Sequence, residues 1–285
     1  MAIRLNPYAQ RYPLWLKGNL HAHTTLSDGE LPPDETLEAF IRRGYDYAAL
    51  TDHDVVATPA EERYPQILFL PGVEHSAQQH ILRVNVTTTL PRDLSYQSVI
   101  DLTLQADGLV ILNHPNWGDD FNHWRDAQLF SLERFHGIEI YNNVIEYLEG
   151  SPYATDRWDR LLSAGRQLWG YANEDTHRIL QIGSAWNMVN VRQRSKAEVL
   201  EALKTGRFYA STGAVLEEIA VQDGFWFVRS GNAKALRLIS HQGEVLEEVK
   251  GSTATFSLSR ARVYARVEAV GDGFARAWTQ PVFVE

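Results

Sequence analysis

The sequence predicts an α/β fold, a mainly parallel sheet with helices outside that closes as a barrel, followed by a small all-β domain of sandwich type. Three observations carry this. Between about residues 15 and 210, short apolar runs alternate with helical patterns, the order that builds parallel sheets. After Gly213 the helical period disappears, and strand-like runs alternate with turn signals. Finally, 285 residues with 44% hydrophobic and 22% charged residues suit one large soluble domain plus a small one.

Taken in order, residues 32–43 open with two prolines and the acids Asp34 and Glu35. Leu37, Phe40 and Ile41 recur at helical spacing, and Gly44 closes the run, a start and stop pattern for a helix. Short buried strands are predicted at 47–50, 67–70 and 81–86. A helix at 95–106 leads into a strand at 109–112. Strands follow at 137–141, 168–172 and 188–191, with helices at 153–164 and 196–203, the latter ended by Gly206. Beyond Gly213, residues 225–228, 236–240, 253–258 and 263–270 read as strands. Asp223-Gly224, Gln242-Gly243 and Gly271-Asp272-Gly273 separate them. The expected domains are residues 1–213 and 214–285.

Composition narrows the chemistry. There is no cysteine, which excludes disulfides, thiolate metal ligands and a cysteine nucleophile. The formal net charge of −9 argues against a nucleic-acid partner, which calls for a basic patch. A small phosphorylated substrate stays compatible, because bound metal ions supply local positive charge. No apolar run approaches the about 18 residues of a membrane span, and the N-terminal segment lacks the apolar core of a signal peptide. The chain therefore reads as a soluble, cytoplasmic protein acting on a small molecule. Its oligomeric state is not legible.

The chemistry-bearing residues gather around predicted strands. His21 and His23 lie two apart in Asn19-Leu20-His21-Ala22-His23. In an extended segment such residues share a side, so both imidazoles reach one ion. Asp28 follows in Ser27-Asp28-Gly29. His53 comes directly after the strand 47–50, Glu74 after 67–70, His114 after 109–112, and Asp175 with His177 after 168–172. His80 precedes 81–86. Strand ends converge on the C-terminal face of a barrel. Each residue alone has a bland reading: the His21–His23 pair as surface, His53 as a helix cap, His114 before Pro115 as a turn residue, Asp175 with His177 as a hydrogen-bonded pair. Their common position favours one site. Six histidines and three carboxylates exceed what one ion needs, so two or three divalent ions are expected. Imidazole with carboxylate suits zinc, manganese or iron. His123, His136 and His241 lack this context and read as surface or packing residues. His75 is ambiguous, because its neighbour Glu74 faces the opposite way if the strand continues.

These motifs resemble the PHP superfamily, named for polymerase and histidinol phosphatase, over about residues 15–213. Gly18-Asn19-Leu20-His21-Ala22-His23-Thr24, Ser27-Asp28-Gly29 and Thr51-Asp52-His53-Asp54 look like its opening motifs. Pro71-Gly72-Val73-Glu74, Asn113-His114-Pro115 and Asp175-Thr176-His177 look like its later ones. The segment from Leu203 to Gly213 and the β tail resemble a carbaryl-hydrolase-like branch. The resemblance implies a distorted (β/α)7 barrel. It also implies ligand roles: His21, His23, Glu74 and Asp175 for a first ion; Glu74, His80 and His114 for a second, with Glu74 bridging; Asp28, His53 and His177 for a third. His75 competes with His80. The polymerase members are much longer, so a polymerase role is not implied.

Metal-assisted hydrolysis is the expected reaction, in which metal ions activate water and polarise a substrate oxygen. Glu74, Asp175 and Arg178 are the expected catalytic residues. Arg178 would pair with an anionic substrate group, although a surface salt bridge is an equal reading. Asp52, Asp54 and Asn113 are candidates to orient ligands. Lys17, Arg83 and Arg125 are other cations near the motifs, and Trp117, Trp124, Trp158 and Trp186 could wall an aryl pocket. Phosphate ester hydrolysis leads, carbamate or carboxylic ester hydrolysis is the alternative, and a non-catalytic metal-binding module comes last.

Overall fold

The computed structural model describes residues 2–285. The chain forms β1 (Ile3–Leu5), β2 (Leu14–Asn19), α1 (Pro33–Arg42), β3 (Tyr47–Leu50), β4 (Leu68–Ser76) and β5 (His80–Val84). There follow α2 (Tyr96–Gln105), β6 (Leu109–Leu112), α3 (Asp126–Ser131), β7 (Gly137–Asn142), α4 (Thr155–Ser163) and β8 (Trp169–Asn173). Then come β9 (Trp186–Val191), α5 (Lys196–Thr205) and β10 (Phe208–Ser211). The remainder is all strand: β11 (Leu216–Gln222), β12 (Phe225–Ser230), β13 (Ala235–Ser240), β14 (Glu244–Lys250), β15 (Thr253–Ser257), β16 (Tyr264–Val270), β17 (Arg276–Thr279) and β18 (Val282–Val284).

Local chemistry sets the helix ends. Pro33, Asp34 and Glu35 open α1, and Leu37 and Phe40 are its fully buried face. Gly44 closes it at φ +73°, and Tyr45 N–H bonds back to Phe40 O, a glycine stop. Ser195 caps α5 by accepting from Glu198 N–H, and Gly206 ends it in the left-handed region.

The main sheet is mixed, which corrects the expectation of a mainly parallel one. The trios β2-β3-β4 and β6-β7-β8 pair in parallel, but β5 is antiparallel to both β4 and β6. Only residues 77–79 join β4 to β5, too few for the crossover that a parallel pair needs. β4 also runs to Ser76, past the expected end at Leu70. Pro71 and Gly72 look like a turn in sequence, yet the hairpin partner β5 keeps residues 72–76 in register.

Between the two ends of the sheet, backbone pairing is limited to one parallel bridge, Ala22 with Thr176, where His23 N–H donates to Thr176 O at 2.8 Å, short of the full ladder of a closed barrel. The ladder ends at β8, whose strand partner is β7. The sheet curls so that the other edge of β8 meets side-chain amides. Gly170 N–H donates to Gln280 Oε1 at 2.8 Å, and Gln280 Nε2 donates to Gly170 O at 2.8 Å. Ala172 N–H donates to Asn187 Oδ1 at 3.1 Å, and Asn187 Nδ2 returns to Ala172 O at 2.9 Å. Glu174 N–H donates to Asn19 Oδ1 at 3.1 Å. A carboxamide carries a donor and an acceptor, as a peptide group does, so these side chains stand where a strand would.

The ladder is continuous across residue 213: β10 pairs with β17, and β16 and β18 extend the same sheet. A second sheet, β11-β12-β15, contributes Trp226 and Phe256 to a core shared with Leu236 and Val267. The tail is also fastened to α4. Arg266 Nε and Nη2 donate to Asp159 Oδ1 and Oδ2 at 2.8 and 2.7 Å, and Tyr264 OH donates to Oδ1 at 2.7 Å. Among the described residues no helix is long and apolar enough to cross a membrane.

Candidate metal centre

All nine candidate ligands gather on one rim of the curled sheet. His21 and His23 follow β2, His53 follows β3, His114 follows β6, and Asp175 and His177 follow β8. Glu74 projects from within β4 rather than from a loop. His80 opens β5, and because β5 runs antiparallel its first residue reaches the rim where the parallel strands end. Two rim residues sit in the left-handed region, His114 at φ +30° and Asp175 at φ +53°. Such backbone costs on the order of 1 kcal/mol or more and collects at functional sites.

Glu74 is the hub. Its Oε1 lies 3.3 Å from His21 Nε2, 3.2 Å from His80 Nδ1 and 3.3 Å from His114 Nε2. Its Oε2 lies 2.8 Å from His53 Nδ1 and 3.6 Å from His23 Nε2. Asp175 Oδ1 is 3.3 Å from His21 Nε2 and 3.1 Å from His23 Nε2. Asp28 bridges the outer histidines, with Oδ2 at 3.5 Å from His53 Nε2 and 3.3 Å from His177 Nε2. Four sets have ligand atoms within 4.8 Å of one another: His21–His23–Asp175, His53–Glu74–His80, His23–Asp28–His53–His177 and His80–His114–His123.

The hydrogen bonds test whether a cation fits. His21 Nδ1 lies 2.7 Å from Glu139 Oε1. A carboxylate only accepts, so Nδ1 carries a proton and neutral His21 presents a lone pair at Nε2. That lone pair faces Glu74 Oε1 and Asp175 Oδ1. Buried Glu74 Oε2 and Asp175 Oδ1 accept no hydrogen bond. Acceptors aimed at acceptors repel unless a cation lies between them, and the mixed imidazole and carboxylate set is one that divalent metals favour. In the metal-free chain protons answer the same demand. Burial opposes a charge on His21, yet Asp175, Glu139 and Glu74 outweigh it and hold its pKa well above the ordinary value. Burial pushes His23 down. Burial likewise opposes ionised Glu74, but His21 and His80 hold its carboxyl well below the usual range. His53, flanked by Asp28 and Glu74, is pushed up to about 10 against its burial.

A further ring of residues holds this arrangement. Asn113 Nδ2 donates to Glu74 Oε1 at 2.6 Å. Asp52 accepts from Thr24 N–H, Thr24 Oγ1 and Ser27 Oγ, fixing the loop that carries His23 and Asp28. Asp54 accepts from Ser76 N–H, at the end of β4. Sequence reasoning missed Glu139, which also accepts from His114 N–H, Asn142 Nδ2 and Asn173 Nδ2. Its signal was present: an acid in the middle of a strand whose every residue is buried. His123 was left out as well, yet its ring centroid is 5.0 Å from that of His80 and 4.6 Å from that of His114, and its Nε2 accepts from His80 N–H at 3.0 Å. His75 is on the other face of β4, with Nδ1 3.8 Å from Asp54 Oδ1.

The expected tryptophan wall mostly dissolves. Only Trp117 lines the cavity of about 160 Å³ over the cluster. Trp124 and Trp158 are fully buried, because helix and loop packing around β6 and β7 absorbs them. Trp186 lies under Lys17, whose Nζ is 4.3 Å from the ring. That contact also removes Lys17 from the site. Arg83 is buried, donating to Thr103 and Thr88. Arg125 lines an outer cavity that adjoins the cluster through His80 and Trp117. Arg178 is exposed and lines a groove beside His177.

Comparison with known proteins adds the following. No family model matches the chain. Over 38 residues it is 53% identical to the DNA polymerase/3'-5' exonuclease PolX of Bacillus subtilis, covering 13% of this chain and 7% of that protein. Over 84 residues it is 34% identical to the 5'-3' exoribonuclease Rnm of Escherichia coli, covering 26% and 29%. The chain thus spans a small part of either relative. Among solved structures it is similar to a two-domain protein from Bacteroides vulgatus containing a predicted PHP-like metal-dependent phosphoesterase. The TM-score is 0.58 at 19% identity, over 97% of this chain and 98% of that one. The shared feature is the fold, a mixed α/β architecture around one large sheet.

Proposed function

We propose that the chain is a metal-dependent hydrolase of PHP type whose substrate is a small phosphate ester. The observation that carries the reading is Glu74, a fully buried carboxylate with five imidazoles around its two oxygens and one oxygen free of any hydrogen bond. His21, His23, Glu74 and Asp175 would hold one ion, Glu74, His80 and His114 a second, and Asp28, His53 and His177 a third. Zinc, manganese and iron suit this donor set. Bound there, divalent ions lower the pKa of water toward neutrality and polarise a substrate oxygen.

The chain's own residues do the rest. Glu139 keeps His21 Nδ1 protonated, so that Nε2 faces the cluster. Asn113 and Asn142 hold Glu74 and Asp175 by one oxygen each, leaving the other turned inward. In the reaction a water oxygen bonds to phosphorus and the P–O bond to the leaving group breaks. The leaving oxygen takes that electron pair and ends with the proton that water gave up. Arg178 beside His177 is the cation we assign to the anionic substrate. Residues 1–213 form the catalytic part, and 214–285 a structural one.

Carbamate or carboxylic ester hydrolysis is the alternative, with its aromatic support now reduced to Trp117. The test is a panel on metal-replete, metal-analysed protein: glycerol phosphate, a mononucleotide, a short oligonucleotide and 1-naphthyl N-methylcarbamate. More than one equivalent of divalent metal and fastest turnover of a phosphomonoester are expected. One ion or fewer removes the multinuclear reading. A preference for the carbamate replaces the substrate assignment, and a preference for the oligonucleotide moves it to the nuclease chemistry in the names of the two relatives.

A further inference from the structure

The loops on one side of the cluster are apolar where loops are ordinarily polar. Tyr147 is 70% exposed and Leu148 51%, on a 3-10 turn after β7, while Leu180 is 86% exposed, on a 3-10 turn after His177. Their residues face a groove of about 540 Å³ whose wall also includes Val144 and Arg178. Val144, Leu148 and His177 line both this groove and the cavity over the candidate ligands, so the two spaces share a wall.

Both walls are tied directly to the site. Asn142 Oδ1 accepts from Val144 N–H at 3.1 Å, while its Nδ2 donates to Asp175 Oδ2 at 3.1 Å. The first apolar turn is thereby fixed to a candidate ligand. Gln181 Oε1 accepts from His177 N–H at 2.7 Å and from Arg178 N–H at 2.8 Å, which fixes the second. Gly118 N–H bonds to Glu149 O at 3.0 Å and Ser151 N–H to Asn116 O at 2.9 Å, bracing the far end of the first wall. A preformed apolar wall that opens onto reactive groups is the usual design of a substrate pocket. The cavity on the opposite flank also adjoins the cluster, sharing His80 and Trp117, but its outer wall is polar, with Gln78, Gln79, Asp120 and Asn122.

We infer that the groove formed by Val144, Tyr147, Leu148 and Leu180 receives an apolar leaving group, alkyl or aryl, of the ester cleaved at the metal cluster, with Arg178 at its margin taking an anionic substituent. This rests on the hydrolase reading and narrows its substrate class. An apolar occupant is the chemistry that the exposed leucines and tyrosine match, and the shared wall with the metal cavity assigns that occupant to the substrate.

The test uses the metal-replete full chain and n-alkyl phosphates from ethyl to hexyl, whose leaving groups differ little in basicity. With the groove occupied, kcat/KM rises roughly threefold to fourfold per added methylene, the transfer gain of a buried CH2. Leu148→Ser with Leu180→Ser should flatten that slope at unchanged metal content. If the esters are cleaved without dependence on chain length, or the slope survives in the double variant, the groove assignment is overturned while the hydrolase reading stands. If the slope survives and the double variant instead changes oligomeric state or binding to phosphatidylcholine vesicles, the patch belongs to a second copy or to a lipid surface, and the inference fails. If no ester on the wider panel is turned over by metal-loaded protein, the hydrolase reading itself falls.

Discussion

Two buried charge clusters in this chain are built on opposite rules. At the joint between α4 and the tail, Asp159 receives two hydrogen bonds from Arg266 and one from Tyr264. Anion meets cation, and both carboxylate oxygens are used. At the rim, carboxylates face imidazole lone pairs, and Glu74 Oε2 and Asp175 Oδ1 receive no hydrogen bond. In the first, donors meet acceptors and the charges cancel, although Arg266 Nη1 has no hydrogen-bond partner; in the second, acceptors face acceptors, and added positive charge would complete it. Burial alone does not mark a functional site. What sets the rim apart is a set of buried acceptors turned on one another with no donor between them.

The largest expected effect breaks the open cluster at its hub. Glu74→Gln removes the charge and keeps the shape. Metal content should fall below half that of the wild type, and turnover by more than about 100-fold, since losing even an outer partner of a metal ligand costs about 10- to 100-fold. Metal analysis and kinetics on the purified variant decide it; unchanged values would show that Glu74 holds no metal.

The closed cluster should respond in the other currency, stability. Asp159→Ala leaves Arg266 buried without a partner, which costs about 3–5 kcal/mol. Denaturant unfolding should show that loss, with metal content per folded molecule unchanged. A loss of metal instead would mean that the joint and the rim are coupled.

A smaller effect sharpens the comparison by supplying a half-buried base outside both clusters. Burial, with Lys204 adding to it, pushes His136 down from 6.5 to about 4, and its Nδ1 accepts from Val110 N–H at 3.1 Å. Below pH 6.5 the unfolded chain takes up a proton that the folded chain refuses until about pH 4, so stability falls as pH falls through that window. In metal-free protein, His136→Gln should flatten this part of the Tm–pH curve. Parallel curves for wild type and variant would place the acid sensitivity elsewhere.

Much of this was legible in sequence, for identifiable reasons. The helices α1, α2, α4 and α5 announce themselves by apolar spacing and end signals, and most of the candidate ligands on the rim by following short apolar strands. β14 was invisible because neither face is buried; six residues around Leu246 are charged or small apolar groups in contact with solvent. β10, β17 and β18 are too short to show a period. The mixed sheet hid behind Pro71-Gly72, which reads as a turn until a hairpin partner is known. Glu139 was passed over because a strand pattern counts residues by hydropathy and does not ask why one acid is tolerated. His123 follows no strand at all. It reaches the cluster because the loop from Asn116 to Arg125 folds back, with His123 N–H on Trp117 O and Trp124 N–H on Pro115 O.

The amides along β8 bear on how this chain can be divided. Gln280 comes from the far C-terminal segment, yet it occupies the backbone of Gly170, four residues before the rim begins at Glu174. An unpaired strand edge is a template on which another chain can add. A protein cut after Gly213 would therefore bare Gly170 N–H and C=O on the strand that leads to Asp175 and His177. The tail in this sense covers an edge open to another chain, on the strand that leads to two candidate ligands.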